Sequence, residues 1–109
     1  WAYRKNDTHQ FEPGIVITDE PGIYIEGSHG VRLENELLVK EWKKNEYGEF
    51  LCFETITYVP MDLDGIKADM MSEEEKRLLN DYHALVYEKI APHLNEEERE
   101  WLKKYTRAI

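Results

Sequence analysis

The chain has 109 residues, which suits one domain or part of one. Hydrophobic residues make up 41% of it, enough for a packed core, while 23 acidic against 14 basic residues give a formal net charge of −9. This charge argues against a nucleic-acid backbone or an anionic membrane as the partner, because both would repel the chain.

Cysteine content and hydropathy indicate the compartment. The single cysteine, Cys52, rules out an internal disulfide and fits a reducing environment. No apolar run approaches the ~20 residues that a transmembrane helix needs. We therefore expect a cytoplasmic protein, and because the chain begins at Trp1 rather than Met, we expect it to be an excised or processed piece of a longer one.

The first half of the chain has the composition of β-strands separated by turns. Pro13-Gly14 predicts a turn, and the β-branched run after it predicts a short buried strand. The predicted strands are residues 15–18, 23–25, 31–39 and 50–59. Residues 26–30 are predicted as a loop and residues 42–49 as a polar, hairpin-like connection; Pro60 ends the last strand.

The second half predicts two amphipathic helices. Ser72 with Glu75, and Asn95 with Glu98, form capping boxes that begin them, and Pro92 ends the first. Apolar residues at helical spacing predict one buried face on each helix. These residues are Leu78, Leu79, Tyr82, Leu85, Val86 and Ile90 on the first helix, and Trp101, Leu102 and Tyr105 on the second. We predict an antiparallel helical hairpin packed on a sheet, in an α+β fold.

Two glutamates lie in apolar, strand-like sequence, where a lone charge is costly. Glu20 precedes Pro21-Gly22, so it is predicted to end a strand in extended geometry, and Glu34 is predicted to lie within the next strand. Arg32 is predicted to share a strand face with Glu34, where it could pair with that carboxylate, with a substrate group or with an acid that contacts a metal ligand. Two carboxylates suit a divalent metal, but a surface Arg32–Glu34 pair with a turn glutamate explains the pattern equally well.

Longer motifs around these residues resemble a known family. Glu20-Pro21-Gly22-Ile23-Tyr24 and Gly30-Val31-Arg32-Leu33-Glu34-Asn35 resemble the C-terminal half of the pita-bread metallopeptidases, closest to the Xaa-Pro aminopeptidases (aminopeptidase P). Residues 11–16 resemble the element before the first of these motifs. Residues 50–60 and the two helices resemble a C-terminal extension of the longer aminopeptidases P.

The resemblance implies a fold, a reaction and a metal site. Residues 1–60 would be the C-terminal part of a pita-bread catalytic domain, and residues 61–109 its helical extension. The family binds two divalent metals, often manganese, and removes an N-terminal residue that precedes proline. Glu20 would be the penultimate metal ligand, Glu34 the last and bridging one, and Arg32 a residue near substrate and metals. The resemblance also implies that the helical extension contributes to a homodimer contact. The apolar sheet face that would pack on the rest of the catalytic domain is expected to be exposed in this chain, and such a face favours self-association.

The family's other three ligands, two aspartates and a histidine, have no counterpart in this chain and would lie upstream of Trp1. We therefore expect the isolated chain to be inactive and to bind no metal with native affinity. Two alternatives remain: a prolidase-type dipeptidase, which the extension after Pro60 argues against, and a non-catalytic pita-bread-like module that binds peptides or proteins.

Other polar residues carry weaker signals. His29, in a glycine-flanked loop, is predicted to be a polar loop residue, although its position also allows contact with substrate. His9, His83 and His93 are predicted to be surface residues or residues with satisfied hydrogen bonds. Cys52 is predicted to be a small buried side chain.

Overall fold

A computed structural model describes residues 8–109, which form two compact units, residues 8–57 and residues 58–109. The first unit holds the strands and the second the helices, so the predicted α+β class is confirmed. Assigning residues 1–60 to a catalytic domain and 61–109 to an extension stays a prediction, and residues 1–7 lie outside the described residues. No helix in the described part of the chain is both long and apolar enough to cross a membrane.

Five strands form two antiparallel sheets in the first unit. They are β1 (Val16–Asp19), β2 (Gly22–Ile25), β3 (His29–Arg32), β4 (Asn35–Asn45) and β5 (Gly48–Thr55). The order β1-β4-β5 makes a three-stranded sheet, and β2 and β3 form a separate hairpin. The predicted turn at Pro13-Gly14 is present, with Gly14 at a φ of 93° that favours glycine.

Two predicted boundaries around β3 are wrong. His29 and Gly30 are not in a loop, because they pair with Ile25 and Tyr24 across the hairpin. The predicted strand over 31–39 is broken at Leu33 and Glu34, so Glu34 does not lie within a strand. The alternation of apolar and polar residues continues through Leu33 and Glu34 because β3 and β4 on either side of them both alternate. Alternation alone does not show that the chain leaves one sheet and enters another at this point.

The β4–β5 hairpin is longer and tighter than predicted. Only Glu46 and Tyr47 separate the two strands, so most of the predicted connection over 42–49 is strand. A register shift between Glu41 and Lys43 marks a bulge, which places an additional residue on β4. At its other end β5 stops at Thr55 rather than continuing to residue 59.

The first predicted strand is present but not buried. Val16 is 52% exposed, and within β1–β5 only Val39 is fully buried. Strongly exposed apolar side chains are found on every part of the first unit: Phe11, Val16, Ile23, Val31, Trp42 and Phe53. A β-branched run predicts a strand, but the strand is buried only where another layer of the protein covers it. The composition of β1 therefore predicted the strand correctly and its burial wrongly.

The second unit contains α1 (Glu73–Ile90) and α2 (Glu96–Tyr105). Both predicted capping boxes are present, with the Ser72 hydroxyl accepting from the Glu75 N–H and the Asn95 side chain from the Glu98 N–H. Single 3-10 turns lie at Leu63–Gly65, Ala68–Met70 and Ala91–His93. The helices therefore begin where the sequence predicts, because a cap is a local interaction.

Val86, Ala91 and Leu102 form the core of the second unit, with Tyr58 and Tyr82 among the half-buried residues packed against them. Beyond α2 the chain returns to α1, where the Asn80 side chain donates to the Ile109 carbonyl at 3.2 Å and accepts from its N–H at 3.0 Å. This return fits the predicted antiparallel hairpin.

Two predicted burial positions on the helices are wrong. Leu78, predicted to be buried, is 55% exposed, and Trp101 is 58% exposed with its ring 4.4 Å from that of Tyr105. The buried apolar residues of the two helices are Val86 in α1 and Leu102 in α2, so the small core leaves Leu78 and Trp101 uncovered.

His83 is fully buried, so of its two predicted alternatives, a surface residue or one with satisfied hydrogen bonds, the first is wrong. Its Nε2 accepts the Met61 N–H at 3.0 Å, so the neutral ring carries its proton on Nδ1. Nδ1 has no hydrogen-bond partner of normal geometry among residues 8–109. Burial lowers the pKa of His83 from 6.5; the Arg107 main chain partly opposes this shift, and the Arg107 charge adds to it.

This burial predicts that mild acid destabilises the second unit. Below pH 6.5 the unfolded chain protonates His83 while the folded chain, with its lowered pKa, does not. Stability is then complete above the unfolded pKa and falls below it, by up to about 1.4 kcal/mol per pH unit. Urea unfolding of the chain between pH 7.5 and 5 measures this loss.

Matched histidine variants isolate the effect of His83. His83→Gln keeps an acceptor for the Met61 N–H but cannot take up a proton, so its stability should change less between pH 6.5 and 5. His93→Gln, at an exposed position, should retain the pH dependence of the parent chain. An unaltered pH dependence in His83→Gln would assign the loss to other groups.

Candidate functional site

The ends of β1, β2 and β3 bring the predicted site residues together. Arg32, the last residue of β3, pairs with Gly22, the first of β2. The Leu33 N–H donates to the Pro21 carbonyl at 3.2 Å and extends this pairing by one step. Glu20 directly precedes the paired segment on one side, and Glu34 directly follows it on the other. The hairpin therefore places both glutamates at its open end.

The Arg32 guanidinium lies between the two carboxylates. Its Nε is 3.2 Å from Glu34 Oε2, and its Nη1 is 3.9 Å from Glu20 Oε2. The three side chains are 37–50% exposed, so solvent screens their attraction. Arg32 thus pairs with carboxylates, one of the partners that its sequence position allows, whereas its role near substrate and the assignment of the glutamates as metal ligands stay predictions.

Tyr24 is a member of this cluster that the sequence analysis did not single out as a site residue. Its ring crosses the hairpin face that carries Arg32, over Gly22 and Gly30, where a Cβ would approach within 2.7 Å and 2.9 Å of it. A hydrogen bond that the Arg32 guanidinium donates to the Tyr24 hydroxyl raises the pKa of Arg32, and the charge of Glu34 raises it further. The available signal for Tyr24 was the pair of glycines, Gly22 and Gly30, on the same hairpin face as Tyr24 and Arg32.

Thr18 is a second member that the sequence analysis did not identify. Its hydroxyl donates to Glu20 Oε1 at 2.6 Å, on the opposite side of the carboxylate from Arg32. The two residues are two apart in extended backbone, so their side chains point to the same side. That spacing, visible in the sequence, was the available signal.

The cluster offers two carboxylates to a cation. Carboxylate oxygens are the donors that manganese and magnesium prefer, and both glutamates are accessible from solvent. Their convergence on one guanidinium fits two positions of a divalent site. The described residues do not complete such a site, because no group of three or more His, Cys, Asp or Glu side chains in 8–109 is placed to hold a metal ion.

The remaining candidates lie apart from this cluster. His29 begins β3 at the turn end of the hairpin, and its Nδ1 is 2.8 Å from the Ser28 hydroxyl. The structure thus joins His29 to its neighbour in the turn and not to the glutamates. Cys52 is half-buried in β5 as a free thiol.

Comparison with known proteins identifies the family. Residues 49–109 match the family described as the C-terminal region of peptidase M24, and residues 2–41 match metallopeptidase family M24. The first match alone covers more than half of the chain. The chain therefore belongs to metallopeptidase family M24, and its strands and helices correspond to part of an aminopeptidase P pita-bread fold.

Similar proteins refine this placement to the aminopeptidase P branch. The chain is 41% identical over 101 residues to a probable Xaa-Pro aminopeptidase P of Coprinopsis cinerea, covering 88% of this chain and 16% of that protein. It is 40% identical over 102 residues to the corresponding protein of Ajellomyces capsulatus, with shares of 89% and 16%. The chain thus spans about a sixth of the length of these relatives.

A solved structure matches both units. The crystal structure of X-prolyl aminopeptidase from Caenorhabditis elegans superposes with a TM-score of 0.81 at 28% identity. The match covers 97% of this chain and 18% of that one. That protein is described as a cytosolic enzyme with a di-nuclear active site.

Proposed function

We propose that this chain is the C-terminal part of a dinuclear-metal Xaa-Pro aminopeptidase, which removes an N-terminal residue that precedes proline. The observation that carries the proposal is the convergence of Glu20 and Glu34 on Arg32, at 3.9 Å and 3.2 Å. Membership of family M24 and relatives named as Xaa-Pro aminopeptidases support it.

Each residue of the cluster has a proposed role. Glu20 and Glu34 would supply two carboxylate ligands, with Glu34 as the bridging one. Divalent ions held in this way polarise a carbonyl group and activate water. Arg32 compensates part of the negative charge that the two carboxylates place side by side, and its exposed face remains available to a substrate group.

The finer assignments belong to the same proposal. We propose manganese as the metal, because both proposed ligands are hard oxygen donors. A cytoplasmic location is supported by the description of the nematode enzyme as cytosolic. A homodimer through the C-terminal region or the exposed sheet is supported by the large apolar side chains that both units present to solvent, Trp42 and Trp101 among them.

Two alternatives to this proposal can be tested. A non-catalytic binding module would lack the remaining ligands, so the coding sequence upstream of Trp1 decides between that module and an active peptidase, according to whether it encodes two aspartates and a His-x-x-Gly-His. A prolidase-type dipeptidase would cleave only dipeptides. The complete polypeptide is expected to release the first residue from longer peptides with proline second, and to need a divalent metal to do so.

Manganese should leave the stability of the isolated 109-residue chain almost unchanged. Two carboxylates and no third ligand among the described residues cannot hold a metal with native affinity, so we expect a melting-temperature shift near zero at micromolar manganese. Differential scanning fluorimetry with and without manganese measures it, with magnesium as a control for ionic strength. A large stabilisation at micromolar manganese would show that the chain forms a metal site by itself.

A further inference from the structure

Glu20 is held from two sides, and the two contacts differ in strength. The Thr18 hydroxyl donates to Oε1 at 2.6 Å, a short hydrogen bond of the charge-assisted kind. Arg32 Nη1 lies 3.9 Å from Oε2, beyond hydrogen-bond distance. The direction in which the Glu20 carboxylate points is therefore set mainly by Thr18.

The backbone explains why Thr18 suits this role. Thr18 lies in β1 and pairs with Glu36 of β4, so its main chain is fixed by the three-stranded sheet. Its branched Cβ restricts the χ1 angle and gives the hydroxyl a defined position. Glu20 lies outside β1 and has a long, flexible side chain, and its contacts with Thr18 and with Arg32 are both solvent-exposed. The Thr18 hydroxyl, whose position is fixed, therefore determines where the more mobile Glu20 carboxylate lies.

The contacts also connect the two sheets of the first unit. Thr18 belongs to the three-stranded sheet, whereas Arg32 belongs to the β2–β3 hairpin. The Glu20 carboxylate lies between them, and among residues 8–109 it accepts from a hydroxyl donor, Thr18, whereas Glu34 does not. Glu34 is held by Arg32 at 3.2 Å without such a donor.

We propose that Thr18 is a positioning residue for the metal site: its hydroxyl fixes the Glu20 carboxylate so that the carboxylate faces the Arg32–Glu34 pair. This inference rests on the proposed function, since it concerns the same two carboxylates. Groups that hydrogen-bond to metal ligands orient them, and their removal typically weakens metal affinity or activity about 10–100-fold.

The test compares Thr18→Val with Thr18→Ser in the complete polypeptide encoded by the gene. Valine keeps the shape and strand preference of threonine without the hydroxyl, while serine keeps the hydroxyl. Manganese affinity is measured from the electron paramagnetic resonance signal of free manganese. Thr18→Val should bind manganese about 10–100-fold more weakly, and Thr18→Ser should stay close to the parent. At saturating manganese, Thr18→Val should recover most of its kcat.

Controls separate this role from a structural one. Thr55→Val makes the same change in β5, which β4 separates from β1 in the sheet, and should leave manganese affinity unchanged. If Thr18→Val does not fold, Thr18→Cys provides the comparison, because a thiol is a weak donor of similar size. Equal manganese affinity in Thr18→Val and the parent would overturn the positioning role.

The outcome for Glu20 distinguishes this inference from the proposed function. If Glu20→Gln loses manganese and Thr18→Val does not, the positioning role fails while the metal site stands. If Glu20→Gln binds manganese as the parent does, the proposed function itself fails, and the Thr18 inference with it.

Discussion

Replacing Glu34 by glutamine in the complete polypeptide is expected to lower metal affinity and peptidase activity by at least about 100-fold, since even groups that only orient ligands cost 10–100-fold. Glutamine keeps the size of the side chain but removes the charge that would bind cations. Arg32, 3.2 Å from the Glu34 carboxylate, would at the same time lose its nearest opposite charge. Activity on a peptide with proline second, and manganese affinity measured separately, both report the change.

Glu26→Gln is the matched control for this substitution. Glu26 lies in the exposed turn between β2 and β3, at the end of the hairpin away from Arg32 and Gly22. The same chemical change there should leave metal affinity and activity within about twofold of the parent, as expected of a surface substitution away from any site. If Glu34→Gln behaved like Glu26→Gln, Glu34 would not be a metal ligand, and the surface-pair interpretation of Arg32 and Glu34 would stand.

Leu102→Ala is expected to destabilise the second unit by about 2–5 kcal/mol, the range for truncating a buried leucine. Leu102 is 3% exposed and packs with Val86 and Ala91 in the main apolar cluster of that unit. A loss of this size is a large part of the total stability of a small unit, about 5–15 kcal/mol for ordinary domains. Urea unfolding of the 109-residue chain, followed by far-ultraviolet circular dichroism, measures it.

Leu78→Ala tests the same chemical change at the position where sequence periodicity and structure disagree. Leu78 is 55% exposed, so its truncation removes little buried surface and should change stability by no more than about 0.5 kcal/mol. Comparable losses for Leu78→Ala and Leu102→Ala would show that the predicted apolar stripe, and not the observed small core, describes the packing of α1.

Local signals in the sequence predicted the helices well and the strands less well. Ser72 and Asn95 begin their helices as predicted, because a capping box involves residues three apart. Glu34 was misplaced because the alternation over residues 31–39 continues across the change from the β2–β3 hairpin to the three-stranded sheet. The burial of His83 was not predicted, because its contacts, such as the hydrogen bond from the Met61 N–H, come from residues far from it in sequence.

Some residues of the candidate site could likewise be predicted from the sequence, and others could not. The residue types and flanking motifs of Glu20 and Glu34 were sufficient to predict a divalent metal site and the peptidase family, and the family is confirmed. Tyr24 and Thr18 were not identified, because their roles arise from contacts of their side chains with Arg32 and Glu20. A side chain that acts through another residue leaves only a weak pattern in a single sequence.

The sequence by itself determined the α+β class, the helix starts, the family and the pair of carboxylates, because these depend on local spacing and on motifs. Only the tertiary structure decided that one guanidinium lies between Glu20 and Glu34, that Thr18 and Tyr24 contact these residues, and that His83 is buried. The approach of the two glutamates depends on which strands pair and in which register, and the burial of His83 depends on packing between residues distant in the sequence, such as its contact with Met61. Both are non-local choices that composition does not encode.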